Sequence, residues 1–350
     1  MVNHTVDSTG VRSVSSSLSD SLLVNSPHGL YCPPGDFYID PIKPVDRAII
    51  THGHSDHARP GMGHYYCSAN SAPLLAHRLG KDISVTPLDY GTVSDFRGVR
   101  VSLHPAGHIR GSAQVRVEHD HQCWVVTGDF KRCADPTAEP FEVVECDVLI
   151  TEATFAVPIY RWRSGEAVAA EIMDWWRGNQ ATGTTSLLFC YSLGKAQRLL
   201  AELGRYTQKT VYAHGAVMPL YRIYQQQGVT MLSTESTVDL PRDHDYSDAL
   251  VLAPPSAHRS SWMKRFKRVS TGFASGWMQV RGARRRRGYH RGFVLSDHAD
   301  WPGLIHTVRQ TGARQVYTTH GHNEVLARYL REQDIAAAPL SALHQQPASD

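Results

Sequence analysis

The chain has 350 residues, 41% of them apolar and 20% charged, a balance that suits a soluble globular protein of one large domain or two modest ones. Its 36 basic and 33 acidic residues leave a net charge of only +3, yet no acid occurs between Ala249 and Ser296, and 11 Lys or Arg fall between Arg259 and Arg291. No apolar run approaches the roughly 18 residues that span a membrane, and the six cysteines form no CxxC pair, which excludes membrane, fibrous and disulfide-stapled classes. They read as free thiols in a reducing cytoplasm. Met1 to Ser26 is Ser-rich, without the basic start and apolar centre of a signal peptide, and reads as a disordered leader.

After the leader, short β-rich runs are predicted at 36–40, 48–51, 99–103 and 113–117. The last of these pairs with 123–126 across residues 118–122 as a hairpin. A further apolar run at 147–151 has the character of a strand buried on both faces. Helices are predicted at 69–79 and, following Ser164, at 165–177. From Gly165 the texture becomes an alternation: strand 186–190, helix 194–203, strand 210–213, helix 218–227 and strand 249–252. Such alternation signals parallel βα units. The acid-free stretch then reads as loop or sheet edge. Strand 292–295, helix 302–311, strand 315–318 and helix 323–332 complete the chain. The division that follows is a first α/β domain over 27–160 and 286–345, interrupted by an α/β insert over 161–285.

The chemistry concentrates in His52-Gly-His54-Ser-Asp56-His57, directly after the strand at 48–51. Three imidazoles and a carboxylate within six residues are a dense donor set for Zn²⁺ or Mn²⁺. Gly53 permits the tight turn that lets these side chains converge. The spacing is not the HExxH of a helical zinc site. Further candidates stand at strand ends: His108 in Pro-Ala-Gly-His, Asp129 closing Val-Val-Thr-Gly-Asp, and His320 closing Val-Tyr-Thr-Thr-His. Side-by-side strands would gather them into a two-metal cluster, and a carboxylate such as Asp129 is the natural bridge.

The HGHSDH element, Gly107-His108, Gly128-Asp129 and Asp40 resemble the first four motifs of the metallo-β-lactamase fold. Glu152 in Leu-Ile-Thr-Glu-Ala-Thr, His298 in Ser-Asp-His-Ala-Asp and His320-Gly321 resemble the three further motifs of the β-CASP nucleases. The run Tyr31-Cys-Pro-Pro-Gly-Asp-Phe-Tyr-Ile-Asp40, with Ser275-Gly-Trp-Met278 and Ser296 to Trp301, is most similar to the bacterial ligase-associated DNA exonucleases. The resemblance implies an αββα metallo-β-lactamase sandwich with an inserted β-CASP domain. It implies one metal on His52, His54 and His108, another on Asp56, His57 and His320, and Asp129 bridging. Asp40 would stand behind the ligands and orient a histidine. His298, bonded to Glu152, would protonate the leaving oxygen. The implied activity is that of a DNA exonuclease of DNA repair in the cytoplasm, associated through its family with a DNA ligase and a helicase.

Two other regions suggest contact with nucleic acid. Tyr191-Ser192-Leu-Gly-Lys195 lies between strand and helix, where amides, Ser192 and Lys195 could receive a phosphate, and Lys131 with Arg132 follows Asp129 closely. The alternative for Lys195 is an ordinary turn with a solvated lysine. The basic stretch interleaves Trp262, Phe266, Phe273 and Trp277 with its charges, so that buried aromatics would leave Arg284, Arg285, Arg286 and Arg287 facing phosphates. Residue types leave an RNase of the same fold open, and His320 favours it, because RNA-processing members of the group usually carry His there. A small-molecule hydrolase would share the HxHxDH loop without needing Glu152, His298 or the basic stretch. A merely binding module would not need the full set of ligands.

Overall fold

A computed structural model describes residues 21–280, 282 and 288–343. The described residues fold as a mixed α/β protein with three sheets. The first begins within the segment read as a leader. Leu22 and Leu23 are buried, and β1 (Val24–Ser26) pairs antiparallel with β2 (Gly29–Cys32). Adjacent leucines supply the apolar anchor that the serine-rich composition hid. β3 (Phe37–Ile39), β4 (Arg47–Ile49), β5 (His64–Ser68) and β6 (Val85–Leu88) complete this sheet in chain order. Helix α1 (Ala72–Leu79) lies between the last two, with Pro73 in its first turn, where a missing N–H costs nothing.

The second sheet runs from β7 (Ser94–Phe96) through β8 (Val99–Pro105), β9 (Ala113–His119) and β10 (Gln122–Val126) to β11 (Val148–Glu152). Asp120 and His121 both have positive φ, 47° and 64°, the two-residue turn whose twist suits a hairpin. Much later, β18 (Gln315–Thr319) and β19 (Ala336–Pro339) extend the sheet beside β11. Ile39 and Ile49 of the first sheet share one core with Val101, Val115 and Ile150 of the second, so the two sheets face each other. The outer face of the second sheet is covered by α5 (Trp301–Thr311) and α6 (Asn323–Arg331), through Leu304, Val308 and Leu326. Asp300 caps α5 by accepting from the Gly303 amide at 2.9 Å, and Gly312 ends it at φ 65°.

The third sheet is wholly parallel, in the order β14 (Thr234–Ser236), β13 (Val211–Ala213), β15 (Leu250–Ala253), β12 (Thr185–Phe189), β16 (Val269–Ala274), β17 (Arg291–Phe293). Helices α2 (Gly165–Gln180), α3 (Lys195–Leu203) and α4 (Met218–Gln226) cover one face. Ser164 caps α2 with its hydroxyl. The acid-free stretch departs from its reading as loop or edge. Val269-Ser-Thr-Gly-Phe-Ala274 forms an inner strand, because its β-branched and aromatic residues outweigh the charges that flank it. The chain leaves the third sheet only after Phe293, later than the expected boundary at 285. Among the described residues no helix is long and apolar enough to cross a membrane.

Candidate metal centre

The sequence element His52 to His57 turns immediately beyond β4, and Asp129 follows β10 in the facing sheet. His108 lies between β8 and β9, and His320 directly follows β18. Strand ends of two facing sheets therefore deliver the donors to one place. His52, His54, His108 and Asp129 offer atoms all within 4.8 Å of one another, as do His57, Asp129 and His320, and again Asp129, Glu152 and His298. Asp129 belongs to all three groups. Its Oδ2 lies 3.5 Å from His52 Nε2, 3.6 Å from His57 Nε2 and 3.7 Å from His108 Nε2. Gly128 is obligatory at φ 56°, where an added Cβ would stand 2.7 Å from Thr51 Cβ.

Hydrogen bonds behind the cluster decide which ring nitrogens face it. Thr51 Oγ1 gives its proton to Asp40 Oδ2 at 2.5 Å, so it accepts from His52 Nδ1–H at 3.1 Å. His54 Nε2–H donates to the Leu193 carbonyl at 3.2 Å, and His108 Nδ1–H to that of Asp297 at 2.6 Å. The opposite nitrogens must then be lone pairs, and His54 Nδ1 lies 3.0 Å from His108 Nε2 and 3.2 Å from His52 Nε2. Such close lone pairs repel unless a cation sits among them. Burial and neighbouring imidazoles push His52 and His108 well below the usual histidine range, and burial lowers His54, so the rings are neutral and ready to ligate.

His57 differs. Burial alone would strip its proton, but Asp40, 2.6 Å from Nδ1, and then Asp129 and Asp56 outweigh it and raise the pKa to about 10. Its Nε2 is buried with no hydrogen-bond partner among the described residues. The carboxylate field that retains this proton would equally hold a metal ion in its place. The residues present thus fit divalent cations. Asp56 is exposed and stands aside from the three groups, its Oδ2 3.8 Å from His57 Nε2. His322 stacks on Tyr160 at 6.4 Å and takes no part.

These shifts set a pH dependence for the metal-free protein. His52, His54 and His108 are depressed in the fold, so stability is lost as pH falls below the unfolded value of about 6.5. His57, raised to about 10, gives stability that is full below about 6.5 and lost as pH rises toward its folded value. Urea unfolding in chelator should therefore show a maximum near pH 6.5, and His57→Gln should flatten the alkaline side. A curve that climbs steadily to pH 10 would contradict this protonation scheme.

A cavity of about 610 Å³ opens over the cluster, lined by His54, Asp129, His298 and His320 below and by Tyr191 and Trp277 from beyond the third sheet's strands. Glu152 is buried at the end of β11 and accepts from the Phe130 amide at 2.7 Å and from His298 Nδ1 at 2.9 Å. Ser192 is half-buried in the wall. Lys131 and Lys195, expected to meet phosphate, have their ammonium groups buried and paired within the protein, although Lys195 lines the cavity. Lys131 Nζ is buried against Asp135, and Lys195 Nζ binds Asp297 Oδ2 at 2.7 Å and the Leu295 carbonyl at 3.0 Å. Interior ammonium groups need such partners, and the sequence carried no sign of their burial. Arg132 extends to Thr307 and Gln310. Phe266 and Phe273 are core residues, Trp262 packs on the same core, and Trp277 is the one of the four that lines the cavity. Arg284 to Arg287 lie outside the described residues. Sequence reasoning gave no role to Tyr191, 49% exposed on the rim, or to Asp297, Asp135 and Arg198 beneath it.

No family model matches the chain. A protein described as a probable DNA ligase from Opitutus terrae is 34% identical over 313 residues, 89% of this chain and 30% of that protein. Endoribonuclease ysh-1 from Neurospora crassa is 31% identical over 140 residues, 39% of this chain and 16% of the relative. This chain is a relative of the β-CASP nucleases of the metallo-β-lactamase fold. The first of these relatives is named for a ligase and the second for an endoribonuclease, and the chain spans less than a third of the length of either. A crystal structure of a protein of unknown function from Enterococcus faecalis shares the architecture, with a TM-score of 0.57 at 10% identity, over 83% of this chain and 78% of that one.

Proposed function

We propose that this β-CASP relative is a two-metal phosphodiesterase acting on DNA as an exonuclease, with the two facing sheets as the αββα sandwich and the third sheet as the β-CASP insert. The observation that carries the reading is the pairing of a histidine–aspartate cluster with an adjoining Glu152–His298 pair, its carboxylate buried and its imidazole half-buried on the same cavity. A lactam or thioester hydrolase would use the first and has no need of the second. Two divalent cations, held by His52, His54, His108, His57 and His320 around Asp129, with Asp56 drawn in from the rim, would neutralise the phosphodiester and lower the pKa of an attacking water. Asp40 holds His57 and, through Thr51, His52 in their ligating tautomers. Asp129 keeps its carboxylate ionised between the two groups of imidazoles. His298 donates a proton to the leaving oxygen, oriented by Glu152.

DNA is preferred over RNA because the match to the ligase-described relative extends over 89% of the chain, whereas that to the endoribonuclease covers 39%. Work beside a ligase or helicase in repair, in the cytoplasm, belongs to the same proposal. The test uses end-labelled DNA and RNA, with and without 5′ phosphate, digested in Zn²⁺ or Mn²⁺ and sized. Stepwise shortening of DNA is expected. Cleavage of RNA with DNA left intact would replace the DNA reading with a ribonuclease, and internal fragments from the first time points would overturn exonuclease action.

A further inference from the structure

An ion cluster that the reaction just described does not use runs from the cavity wall, where Lys195 and Asp297 line it, back to Lys131, Asp135 and Arg198. Helix α3 presents Lys195 and Arg198, three residues apart and so on one face, toward the segment Leu295 to His298 that follows the third sheet. Lys195 Nζ donates to the Leu295 carbonyl at 3.0 Å and Arg198 Nη1 to the Ser296 carbonyl at 2.7 Å. Both also reach the Asp297 carboxylate, at 2.7 Å and 3.2 Å. Lys131 lies 3.9 Å from the same carboxylate and pairs with Asp135, whose Oδ2 is 3.6 Å from Arg198 Nε. Lys131, Lys195, Arg198 and Asp297 are buried residues, and the Asp135 side chain is 5% exposed. The next contacts outward belong to the metal centre: the Asp297 carbonyl accepts from His108 Nδ1 at 2.6 Å, and His298 follows in sequence. Three consecutive carbonyls of one segment are thus taken by two cations of α3 and one ligand histidine.

We propose that Lys195 and Arg198 are positioning residues for the metal centre, acting through Asp297 to aim His108 Nε2 at the metal and to seat His298 beside Glu152. The third sheet and its helices then do more than roof the cavity. Displacement of α3 would turn a ligand ring and shift the proton donor together. The inference rests on the metal-centre reading, but not on which nucleic acid is cut. It also reverses the expectation that Lys195 receives a phosphate: its ammonium is buried and bonded to a carboxylate and a carbonyl.

The test compares the 350-residue chain with Lys195→Met and with Arg198→Lys, the latter keeping a charge but losing the planar guanidinium whose Nη1 bonds Ser296 and Asp297 while its Nε faces Asp135. Metal-free protein is titrated with Zn²⁺ and with Mn²⁺ by calorimetry, without substrate. Loss of a partner behind a ligand histidine should weaken metal affinity by about 10–100-fold. In loaded enzyme, kcat should fall with KM and the salt dependence of nucleic-acid binding unchanged. A cluster serving stability alone would lower the melting temperature and leave the metal affinity of the folded protein at the parent value, which would overturn the proposal. So would a raised KM and shallower salt slope with unchanged metal affinity, the signature of a phosphate contact. If Lys195→Met fails to fold, Arg198→Lys carries the comparison. Because the affinities are read without substrate, absence of cleavage would count against the nuclease reading and leave this one standing.

Discussion

Asp129→Ala should lose both metal ions and, with them, all measurable cleavage, whereas His54→Ala should lose one ion and retain the other. The difference follows from geometry. Asp129 Oδ2 faces His52, His57, His108 and, at 3.9 Å, His298 Nδ1, and Asp129 alone is shared by all three donor groups. His54 belongs to one group. Burial would raise the Asp129 carboxyl, but the surrounding histidines, His298 and His57 first, hold it well below the usual carboxylate range, so the carboxylate is ionised whenever metal is offered. Asp129→Asn separates charge from shape. The amide fills the same space but cannot bridge two cations, and it should behave like the alanine variant in metal content. Metal stoichiometry by elemental analysis, taken with cleavage rates, reads both effects. Retention of two ions by Asp129→Ala would remove the bridging assignment.

The contrast between Asp129 and Asp297 shows what the sequence could reveal. Donors that follow strands within compact motifs were legible, because a strand end fixes where the next side chain points and glycine permits the turn. His52, His108 and Asp129 could be proposed from such positions, and the structure brings them together. Asp297 stands one residue before a motif histidine, and nothing local says that its carboxylate is buried among three cations contributed from residues 131, 195 and 198. Lys131 and Lys195 looked like phosphate ligands for the same reason. A lysine's partner across the fold is invisible in the sequence, and only the packing of α3 on the 295–298 segment decides between solvent and carboxylate. The alternation of strands and helices from Gly165 onward was readable as parallel βα units. The inner strand Val269–Ala274 was not, because net charge over a window masks a six-residue apolar core within it. Leu22 and Leu23 were hidden in the same way by the serines around them.

His298→Ala should leave both metals bound and lower kcat by about 10²–10⁴-fold, the range for removal of a positioned general acid. The basis is a proton held where chemistry needs one. Burial would lower the His298 pKa, but the Glu152 carboxylate, 2.9 Å from Nδ1, and then Asp129 raise it to about 9. The ring therefore enters neutral solution protonated, with Nδ1–H committed to Glu152 and Nε2–H available for donation. Glu152 is itself fixed by the Phe130 amide at 2.7 Å, so the ring is oriented as well as charged. For an acid the sign runs one way: the active form is lost as pH climbs through the folded pKa, so kcat should decline on the alkaline side. Glu152→Gln removes the largest charge that raises that pKa while keeping an acceptor for Nδ1–H. Its alkaline limb should move to lower pH, and at pH 8 it should lose more activity than at pH 6. A bound cation beside Asp129 opposes the proton and pulls the limb downward in both proteins, which is why the displacement between parent and variant, measured in the same metal, is the decisive quantity. Coincident limbs would mean that Glu152 supports the ring without tuning it, and that another group supplies the proton to the leaving oxygen.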